Sequence, residues 1–278
     1  MTQRTWFITG VSSGLGRYMT ELLLERGERV AGTLRSPGAL DDLKAKYGDR
    51  LWLVQLDVTN TVLIREVVDR AFAQLGRIDV VVNNAGYGIL GAAEELTDAQ
   101  IDHQIATNLV GSIQVVRAAI PYLRAQGGGR IIQISTMGGQ MTFPGATLYH
   151  TSKWGIEGFM DSLRHELAPF NIAVTIVEPG STGTHFGKNL VIAEPLEIYA
   201  DGPVGQMRAF FGSGAYQSPG DAGKSVRAIV ETADQNPPPL RLALGSDAYG
   251  AMHGALSERL AELESQKAIA ASTDKVSS

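Results

Sequence analysis

Tyr149 and Lys153 are two residues whose types and spacing suit acid–base chemistry. They stand four residues apart in 147-TLYHTSKWGIEGF-159, and side chains at that spacing lie one turn apart on the same face of a helix. The pKa of a phenol is about 10, too high for proton exchange at neutral pH, and a neighbouring ammonium lowers it by favouring the phenolate. The spacing alone does not separate a catalytic pair from two surface residues, because such neighbours occur on every helix.

A glycine-rich turn, 9-TGVSSGLG-16, follows the first apolar strand segment. Its glycines permit a tight turn and a close approach of a pyrophosphate to backbone N–H groups, and the N-terminus of the following helix faces the anion with its dipole. A lone glycine motif is weak evidence, but its place after the first strand of an alternating α/β pattern favours a dinucleotide site. The predicted cofactor contacts in this turn are Gly10, Ser12, Ser13, Gly14, Leu15 and Gly16.

Short apolar runs alternate with longer helical stretches along the chain. Strands are predicted at residues 5–9, 29–34, 51–57, 78–86, 129–135, 172–180 and 240–244. Nearly continuous apolar strands separated by helices indicate a parallel sheet covered by helices on both faces. We therefore predict a single α/β domain over residues 1–266, with a doubly wound parallel sheet of about seven strands whose ligands bind beyond the carboxyl ends.

Two regions of the chain depart from this alternation. Residues 181–220 contain scattered Gly, Pro, Phe and Tyr, and we interpret them as an inserted substrate lobe. The end of the chain, 267-KAIAASTDKVSS-278, is small and polar, and it is predicted to be a disordered tail.

Six motifs occur in an order that resembles the short-chain dehydrogenase/reductase family. They are TGxxxGxG at 9–16, Asp57–Val58 after the third strand, 83-NNAG-86 after the fourth, Asn108 in NLVG, 149-YHTSK-153, and 179-PG-180 after the sixth. Each motif alone is modest, but six at the family's order and spacing are specific. The resemblance covers residues 5–185 closely. It implies a Rossmann-type fold and an oxidoreductase that transfers a hydride between a nicotinamide and a carbonyl or secondary alcohol.

The resemblance also implies roles for individual residues. Tyr149 would be the general acid/base, while Lys153 would hold the nicotinamide ribose and link the phenol to a water chain ending at Asn108. Asp57 and Val58 would bracket the adenine. The other implied cofactor contacts are Asn84, Ala85 and Gly86 beside the adenosine, Pro179 and Gly180 under the nicotinamide, and Thr182 and Thr184 at its carboxamide or the diphosphate. Either threonine would equally serve as a helix cap.

The end of the second strand favours the phosphorylated cofactor. An acid there accepts hydrogen bonds from the 2′-hydroxyl of NAD, whereas an arginine pairs with the 2′-phosphate of NADP. The sequence 31-AGTLRS-36 has Leu34 where NAD-dependent relatives carry an acid, and Arg35 follows at once. We therefore predict NADP(H) as the cofactor, with an ordinary surface arginine as the alternative interpretation of Arg35.

The family's substrate-orienting serine stands thirteen residues before the tyrosine. That position is Thr136 in this chain, and Ser135 comes directly before it. A threonine has the same hydroxyl donor and acceptor as a serine, with a methyl group that narrows the site. Neighbouring strand residues point to opposite faces, so only one hydroxyl can face the substrate. We assign the role to Thr136 and keep Ser135 as the alternative.

Apolar side chains around the predicted lobe suggest a medium-to-large apolar ketone or alcohol as substrate. The candidate wall residues are Met137, Met141, Phe143, Phe186, Phe210, Phe211 and Tyr216, each of which would equally suit core packing. His185 is a candidate substrate contact, whereas His150 is interpreted as structural because consecutive helix residues diverge. The five histidines are scattered, and no metal site is predicted.

Composition argues against several other functions. The chain has 278 residues, a net charge of -5 and no cysteine, so thiolate catalysis is excluded and no nucleic-acid partner is expected. The start does not resemble a signal peptide, and no apolar run approaches the ~20 residues that span a bilayer. We expect a cytoplasmic enzyme without a membrane partner. The resemblance implies a homodimer or homotetramer built on two long helices, about 101–126 and 147–170.

Two other functions fit the motifs less well. Sugar-nucleotide epimerases and dehydratases tend to have a GxxGxxG loop and a longer C-terminal domain, and this chain has neither. Non-catalytic NADP(H) sensors usually lack the Tyr or the Lys, whereas Asn108, Thr136, Tyr149 and Lys153 are all present here.

Overall fold

Seven parallel strands form the central sheet of the protein. The computed structural model describes residues 3–184, 187, 190–213 and 218–275. In this part of the chain the strands are β1 Thr5–Thr9, β2 Arg29–Leu34, β3 Leu51–Gln55, β4 Val80–Asn83, β5 Ile89–Leu90, β6 Gly129–Ile134, β7 Ile172–Pro179, β8 Val191–Ile192 and β9 Arg241–Leu244. The central sheet has the order β3-β2-β1-β4-β6-β7-β9, and β5 pairs with β8 separately. The predicted doubly wound parallel sheet is confirmed.

Helices connect the strands and continue beyond the last one. They are α1 Gly14–Glu25, α2 Asp41–Tyr47, α3 Thr61–Leu75, α4 Asp98–Ile105, α5 Ser112–Ala125, α6 Thr147–Leu167, α7 Pro203–Gly212, α8 Ala222–Glu231, α9 Ser246–Ser265 and α10 Lys267–Ser272. The long helix predicted over about 101–126 contains a π-helical segment, Ala106–Gly111, between α4 and α5. No helix among the described residues is long and apolar enough to cross a membrane.

Side chains of β1 show why helices cover the sheet on both faces. All five residues of this strand are buried. Because strand side chains alternate, Trp6 and Ile8 join one core with α1 and α8, and Phe7 joins the other with α3, α5 and α6. Burial of each large apolar side chain contributes about 1.5–3 kcal/mol, so the two cores fix the sheet between the helix layers.

The strand register brings the carboxyl ends of the strands to one edge. Paired residues at this edge are Thr9 with Thr33, Leu34 with Gln55, Asn83 with Gln133, Ile134 with Val177, and Pro179 with Leu244. The strand order reverses between β1 and β4, where ligands of open α/β sheets bind. The turns that carry the predicted site residues therefore leave the sheet on the same side.

The predicted substrate lobe contains β8 and α7, and a buried carboxylate anchors it to the body. Glu95 accepts hydrogen bonds from Leu196 N at 2.8 Å and from Arg208 Nη2 at 2.6 Å. His185, Phe186 and Tyr216 lie outside the described residues. The sequence predicts disorder from residue 267, whereas Lys267–Ser272 are helical, since an alanine-rich segment favours a helix.

Candidate active site

Tyr149 and Lys153 lie on α6 and meet the end of β6. Lys153 is buried, and its Nζ donates to the carbonyl oxygen of Ile134 at 3.0 Å and lies 5.7 Å from the centre of the Tyr149 ring. The hydroxyl of Thr136 forms a hydrogen bond with the Tyr149 phenol. Thr136, Tyr149 and Lys153, which are predicted as catalytic, are therefore brought together at the carboxyl edge of the sheet.

Thr136 and Ser135 have different hydrogen-bond partners. Ser135 Oγ is buried and donates to Glu157 Oε1 at 2.5 Å. Thr136 has an extended backbone, its Oγ1 accepts from Gly138 N at 3.3 Å, and the same hydroxyl contacts Tyr149. Both residues follow the end of β6 at Ile134, and the hydroxyl beside the phenol belongs to Thr136.

Burial changes the acid–base properties of both α6 residues. It raises the pKa of the Tyr149 phenol above its ordinary value, against the opposing effect of the Thr136 hydrogen bond. It lowers the pKa of Lys153 to about 8, against the attraction of Glu157. The sequence predicts a phenol of lowered pKa. The pKa of Tyr149 is raised instead, because removal from water disfavours the phenolate more than the neighbouring groups favour it.

Asn108 lies in the π-helical segment and is buried. Its Nδ2 donates to Tyr87 O at 2.8 Å and to Ser152 Oγ at 3.2 Å, and its Oδ1 accepts from Tyr87 N at 3.1 Å. Ser152 Oγ in turn donates to Tyr149 O at 2.7 Å. A Cβ on Gly86 would meet Asn108 Oδ1 at 3.2 Å and Lys153 Nζ at 3.9 Å. Asn108 therefore lies beside α6, which carries Tyr149 and Lys153, and it fixes the turn after β4.

The glycine-rich turn has the geometry expected of an anion cradle. Gly10 and Gly14 have φ of 72° and 55°, a region that favours glycine. A Cβ on Gly16 would lie 2.3 Å from Gly10 O and 2.5 Å from Asn84 Nδ2. Ser13 precedes α1 without a side-chain capping hydrogen bond. Glycine at position 16 therefore lets α1 pack closely against the turn, and the N-terminus of α1 has backbone donors of the kind that bind a pyrophosphate.

The turn after β4 is locked to the glycine-rich turn. Asn84 Nδ2 donates to Thr9 O at 3.0 Å and to Gly10 O at 2.9 Å. Thr9 Oγ1 accepts from Asn84 N at 3.0 Å and from Ala85 N at 3.1 Å. Asn84 and Ala85 thus lie next to the glycine-rich turn, and the Asn84 side chain is used to hydrogen-bond the backbone of that turn.

Arg35 is exposed directly after β2, and its charge acts on Asp57. Hydrogen bonds from Thr59, together with the charges of Arg35 and His103, hold the pKa of Asp57 below its ordinary value despite partial burial. His103 Nδ1 also lies 2.7 Å from the Tyr87 hydroxyl oxygen. The sequence did not single out Tyr87 or His103, although Tyr87 directly follows the NNAG motif.

The turn after β7 closes the site on the other side. Gly180 N donates to Leu244 O at 2.8 Å, and the Thr182 hydroxyl donates to Gly180 O at 3.3 Å. A Cβ on Gly14 would lie 3.9 Å from Thr184 Cβ, so this turn reaches the glycine-rich turn. Thr136 Oγ1 lies 3.4 Å from Pro179 O. This turn therefore connects the glycine-rich turn with Thr136. Its predicted cofactor contacts are Pro179, Gly180, Thr182 and Thr184.

His150 has the structural role predicted for it. It is buried, Phe143 N donates to its Nε2 at 3.1 Å, and its Nδ1 lies 2.8 Å from Gly138 O. Since Nε2 accepts, Nδ1 carries the proton and donates to the carbonyl. The Phe143 ring packs edge-on against the imidazole at 4.6 Å, and the rings of Phe210 and Phe211 pack together in α7.

A cluster of charged side chains next to Ser135 was not predicted from the sequence. It consists of the buried Glu157 and Glu178 and the partly exposed Arg241. One signal was available for Glu157, which stands four residues after Lys153 in the same predicted helix. Among the described residues, no group of His, Asp and Glu side chains is arranged to hold a metal ion.

Comparison with known proteins assigns the chain to a family. The model described as short chain dehydrogenase matches residues 4–194. The chain belongs to the short-chain dehydrogenase family. This family member is 35% identical to oxidoreductase BOA17 of Botryotinia fuckeliana, over 88% of this chain and 90% of that protein. It is 38% identical to the 3-ketodihydrosphingosine reductase of Bacteroides thetaiotaomicron, over 70% of this chain and 71% of that protein.

Solved structures agree with this assignment. A short-chain dehydrogenase from Streptomyces avermitilis has a TM-score of 0.91 and 38% identity to this short-chain dehydrogenase, covering 98% of this chain and 99% of its own. A Burkholderia cenocepacia short chain dehydrogenase in complex with NADP has a TM-score of 0.74 at 24% identity, with 93% and 95% covered. A Burkholderia phymatum relative in complex with NAD has a TM-score of 0.81 at 20% identity, with 95% of each chain covered. The predicted family and fold are confirmed.

Proposed function

We propose that this short-chain dehydrogenase is an NADP(H)-dependent oxidoreductase. It transfers a hydride between the nicotinamide and a carbonyl or secondary alcohol, with Tyr149 as general acid/base. The observation that carries the proposal is the meeting of the Thr136 hydroxyl, the Tyr149 phenol and the Lys153 ammonium at the edge that also holds the glycine-rich turn. A bound nicotinamide supplies the hydride, and the protein supplies the proton.

Two hydroxyls that meet at one point suit a carbonyl oxygen. The oxygen of a ketone has lone pairs for hydrogen bonds from both Thr136 and Tyr149. A phenol whose pKa is raised by burial is protonated at neutral pH, so Tyr149 is ready to donate as the alkoxide forms. Lys153, with a pKa of about 8, carries its positive charge at neutral pH and favours that proton transfer.

The residues around the glycine-rich turn fit a dinucleotide phosphate. The positive φ of Gly10 and Gly14, and the close packing that Gly16 permits between α1 and the glycine-rich turn, support a pyrophosphate site. Arg35, exposed at the end of β2 without an acid before it, supports a 2′-phosphate and hence NADP(H). The NADP-bound and NAD-bound relatives support a nicotinamide cofactor in general.

An activity screen with a matched variant tests this function. NADPH oxidation is followed with aliphatic, aromatic and steroidal ketones, and with 3-ketodihydrosphingosine because a relative bears that name. We expect turnover with an apolar ketone and a loss of about 100-fold or more in kcat for Tyr149→Phe, with NADPH affinity nearly unchanged. Tyr249→Phe, at an exposed tyrosine of α9, is the control. Undiminished activity of Tyr149→Phe would overturn the mechanism.

The cofactor preference has its own test. Arg35→Glu replaces the partner of a 2′-phosphate with a repelling charge, so it should weaken NADPH by about tenfold or more while affecting NADH much less. Arg227→Glu, at an exposed position of α8, controls for the change in net charge. Fluorescence titration with both cofactors measures the effect. An unchanged ratio of the two affinities would show that Arg35 does not select the cofactor.

We also propose a homodimer or homotetramer built on the long helices. Val110, Trp154 and Phe170 are exposed apolar residues in and next to α5 and α6, which supports a covered surface there. Light scattering coupled to gel filtration measures the mass, and Trp154→Glu should reduce it. A wild-type monomer would contradict this proposal without affecting the catalytic one.

A further inference from the structure

Glu157 connects three elements behind the catalytic residues. It lies on α6, one turn beyond Lys153, and is buried. Its Oε1 accepts from Ser135 Oγ at 2.5 Å, at the end of β6, and its Oε2 accepts from Arg241 Nη1 of β9 at 2.7 Å. The side-chain amide of Gln140, in the turn after β6, also donates to Oε2. One carboxylate thus binds the strand end, the following turn and a second strand.

The turn after β6 is shaped around this carboxylate. A Cβ on Gly139 would lie 1.8 Å from Glu157 Oε1, so the backbone of the turn is pressed against the acid. Thr136 stands between Ser135 and this turn, and its hydroxyl faces Tyr149. The contacts of Glu157 on both sides of Thr136 therefore set the distance from that hydroxyl to the phenol on the same helix.

The charges around Glu157 come from every element packed against it. Lys153 and Asp161 lie on α6, Glu178 on β7 and Arg241 on β9, while Arg259 of α9 donates to the Gln140 carbonyl oxygen at 2.6 Å. Burial and the neighbouring Glu157 charge raise the pKa of Glu178 to about 7. Burial lowers the pKa of Lys153 to about 8, and Glu157 opposes that decrease.

We propose that Glu157 is a positioning residue for hydride transfer: it holds the Thr136-bearing turn against Tyr149, and its negative charge keeps Lys153 in the ammonium form. This inference rests on the proposed function for its kinetic consequences. The geometry of the carboxylate and its effect on Lys153 do not depend on turnover. Asp161 provides a natural comparison, because it contacts the same Arg241 at 3.2 Å and lies one turn farther from Lys153 than Glu157 does.

The first test follows the titration of Lys153 directly. The chain has seven lysines, so ¹³C-lysine NMR resolves their side-chain signals, and Lys153→Met assigns the signal. Glu157→Gln should shift the Lys153 midpoint down by about one unit because the nearby negative charge is lost. Asp161→Asn should leave it within the error of the wild type. A Glu157→Gln midpoint equal to the wild-type midpoint would overturn the electrostatic part of the proposal, whatever the enzyme's activity.

The second test uses the pH profile of kcat with the best ketone of the screen. Glu157→Gln should lower kcat about tenfold and shift the alkaline limb downward in step with Lys153, while KM for NADPH stays within about twofold. Asp161→Asn should match the wild type. Identical profiles for Glu157→Gln and the wild type would overturn the proposal, whereas absence of wild-type turnover with every ketone would overturn the proposed function instead.

Ser135→Ala tests the positioning role of Glu157 separately from the effect of its charge. It also tests the proposal if Glu157→Gln fails to fold. It removes one contact of the carboxylate and leaves the negative charge in place. We expect kcat to fall about threefold to tenfold with an unshifted Lys153 midpoint and an unshifted pH profile. If Ser135→Ala keeps the full wild-type kcat, the contact between Ser135 and Glu157 does not position Thr136. That result would overturn the positioning part of the inference.

Discussion

On the β1–β4 side of the sheet edge, neutral groups hold the turn that fits the cofactor. Thr9 accepts two backbone N–H groups, from Asn84 and Ala85, and the Asn84 amide bridges the carbonyl oxygens of Thr9 and Gly10. None of these groups titrates between pH 4 and 9. The strength of their hydrogen bonds is therefore independent of pH over this range.

On the β6–β7–β9 side, charged groups hold the turn that carries Thr136. Arg241 pairs with Glu157 at 2.7 Å and with Glu178 at 2.5 Å, and both carboxylates are buried. Burial and the repulsion from Glu157 raise the pKa of Glu178 to about 7. Because only the catalytic side contains a group that titrates near neutral pH, the stability of the cofactor side should not depend on pH. The stability of the catalytic side should change within the physiological range.

Removal of Arg241 should have the largest effect on stability. Arg241→Met leaves Glu157 and Glu178 buried without their cation, which costs about 3 kcal/mol after allowance for partial exposure of the guanidinium. Without that cation, the ionised form of Glu178, whose pKa is already raised to about 7, is disfavoured further in the folded state, so the loss should be greatest above pH 7 and small near pH 4. Urea unfolding at several pH values measures it.

The control for this variant is Arg130→Met. Arg130 lies on β6, which β7 separates from β9 in the sheet, and it donates to the backbone carbonyl oxygen of Gln235 at 3.2 Å. Its removal should cost much less and should show no pH dependence. If Arg241→Met loses the same free energy of unfolding from pH 5 to pH 8, the two sides do not differ in their sensitivity to pH.

Gly16→Ala should have the next largest effect and should act on the cofactor side. Its Cβ would lie 2.3 Å from Gly10 O and 2.5 Å from Asn84 Nδ2, so the turn must shift. We expect a loss of about 2 kcal/mol in the free energy of unfolding and a much weaker NADPH affinity, both independent of pH. Gly254→Ala in α9, where a Cβ meets nothing within 4 Å, should instead stabilise the protein slightly.

Local motifs explain why much of the cofactor side and of the catalytic pair was predictable. The glycine-rich turn, NNAG and the Tyr149–Lys153 spacing are each contained in a few consecutive residues, and parallel strands bring their ends to one edge. The preference for Thr136 over Ser135 followed from the family's spacing of thirteen residues before the tyrosine, and strand alternation added that only one of the two hydroxyls could face the substrate. These features need only the chain's local geometry and the order of its strands.

The charged cluster was not predictable in the same way. Glu178 and Arg241 are 63 residues apart and Glu157 and Arg241 are 84 apart, so only the packing of α6 against β7 and β9 brings them together. The direction of the Tyr149 pKa was wrong for a related reason, because burial is a property of the assembled site. The π-helical segment at Asn108 has no proline within it to mark it.

Thr9→Val should have a smaller effect and sharpen the picture of the neutral side. Valine has the shape of threonine but cannot accept hydrogen bonds from the N–H groups of Asn84 and Ala85. We expect a loss of about 1 kcal/mol in the free energy of unfolding, equal at pH 5 and pH 8. A loss that varies with pH would mean that a titrating group also supports this turn.

Glu178→Gln should have the smallest effect, and the sign of that effect depends on pH. The pKa of Glu178 is raised to about 7 in the folded state, so as pH rises from the ordinary carboxyl value toward 7 the unfolded chain loses its proton first and the wild type loses stability. Glutamine has no proton to lose.

We therefore expect Glu178→Gln to equal or fall slightly below the wild type at pH 5 and to exceed it by about 0.5 kcal/mol at pH 8, because the lost Arg241 contact offsets part of the gain. Urea unfolding of both proteins at pH 5 and pH 8 measures whether their stability curves cross. Parallel stability curves without a crossing would place the titration of the catalytic side on a group other than Glu178.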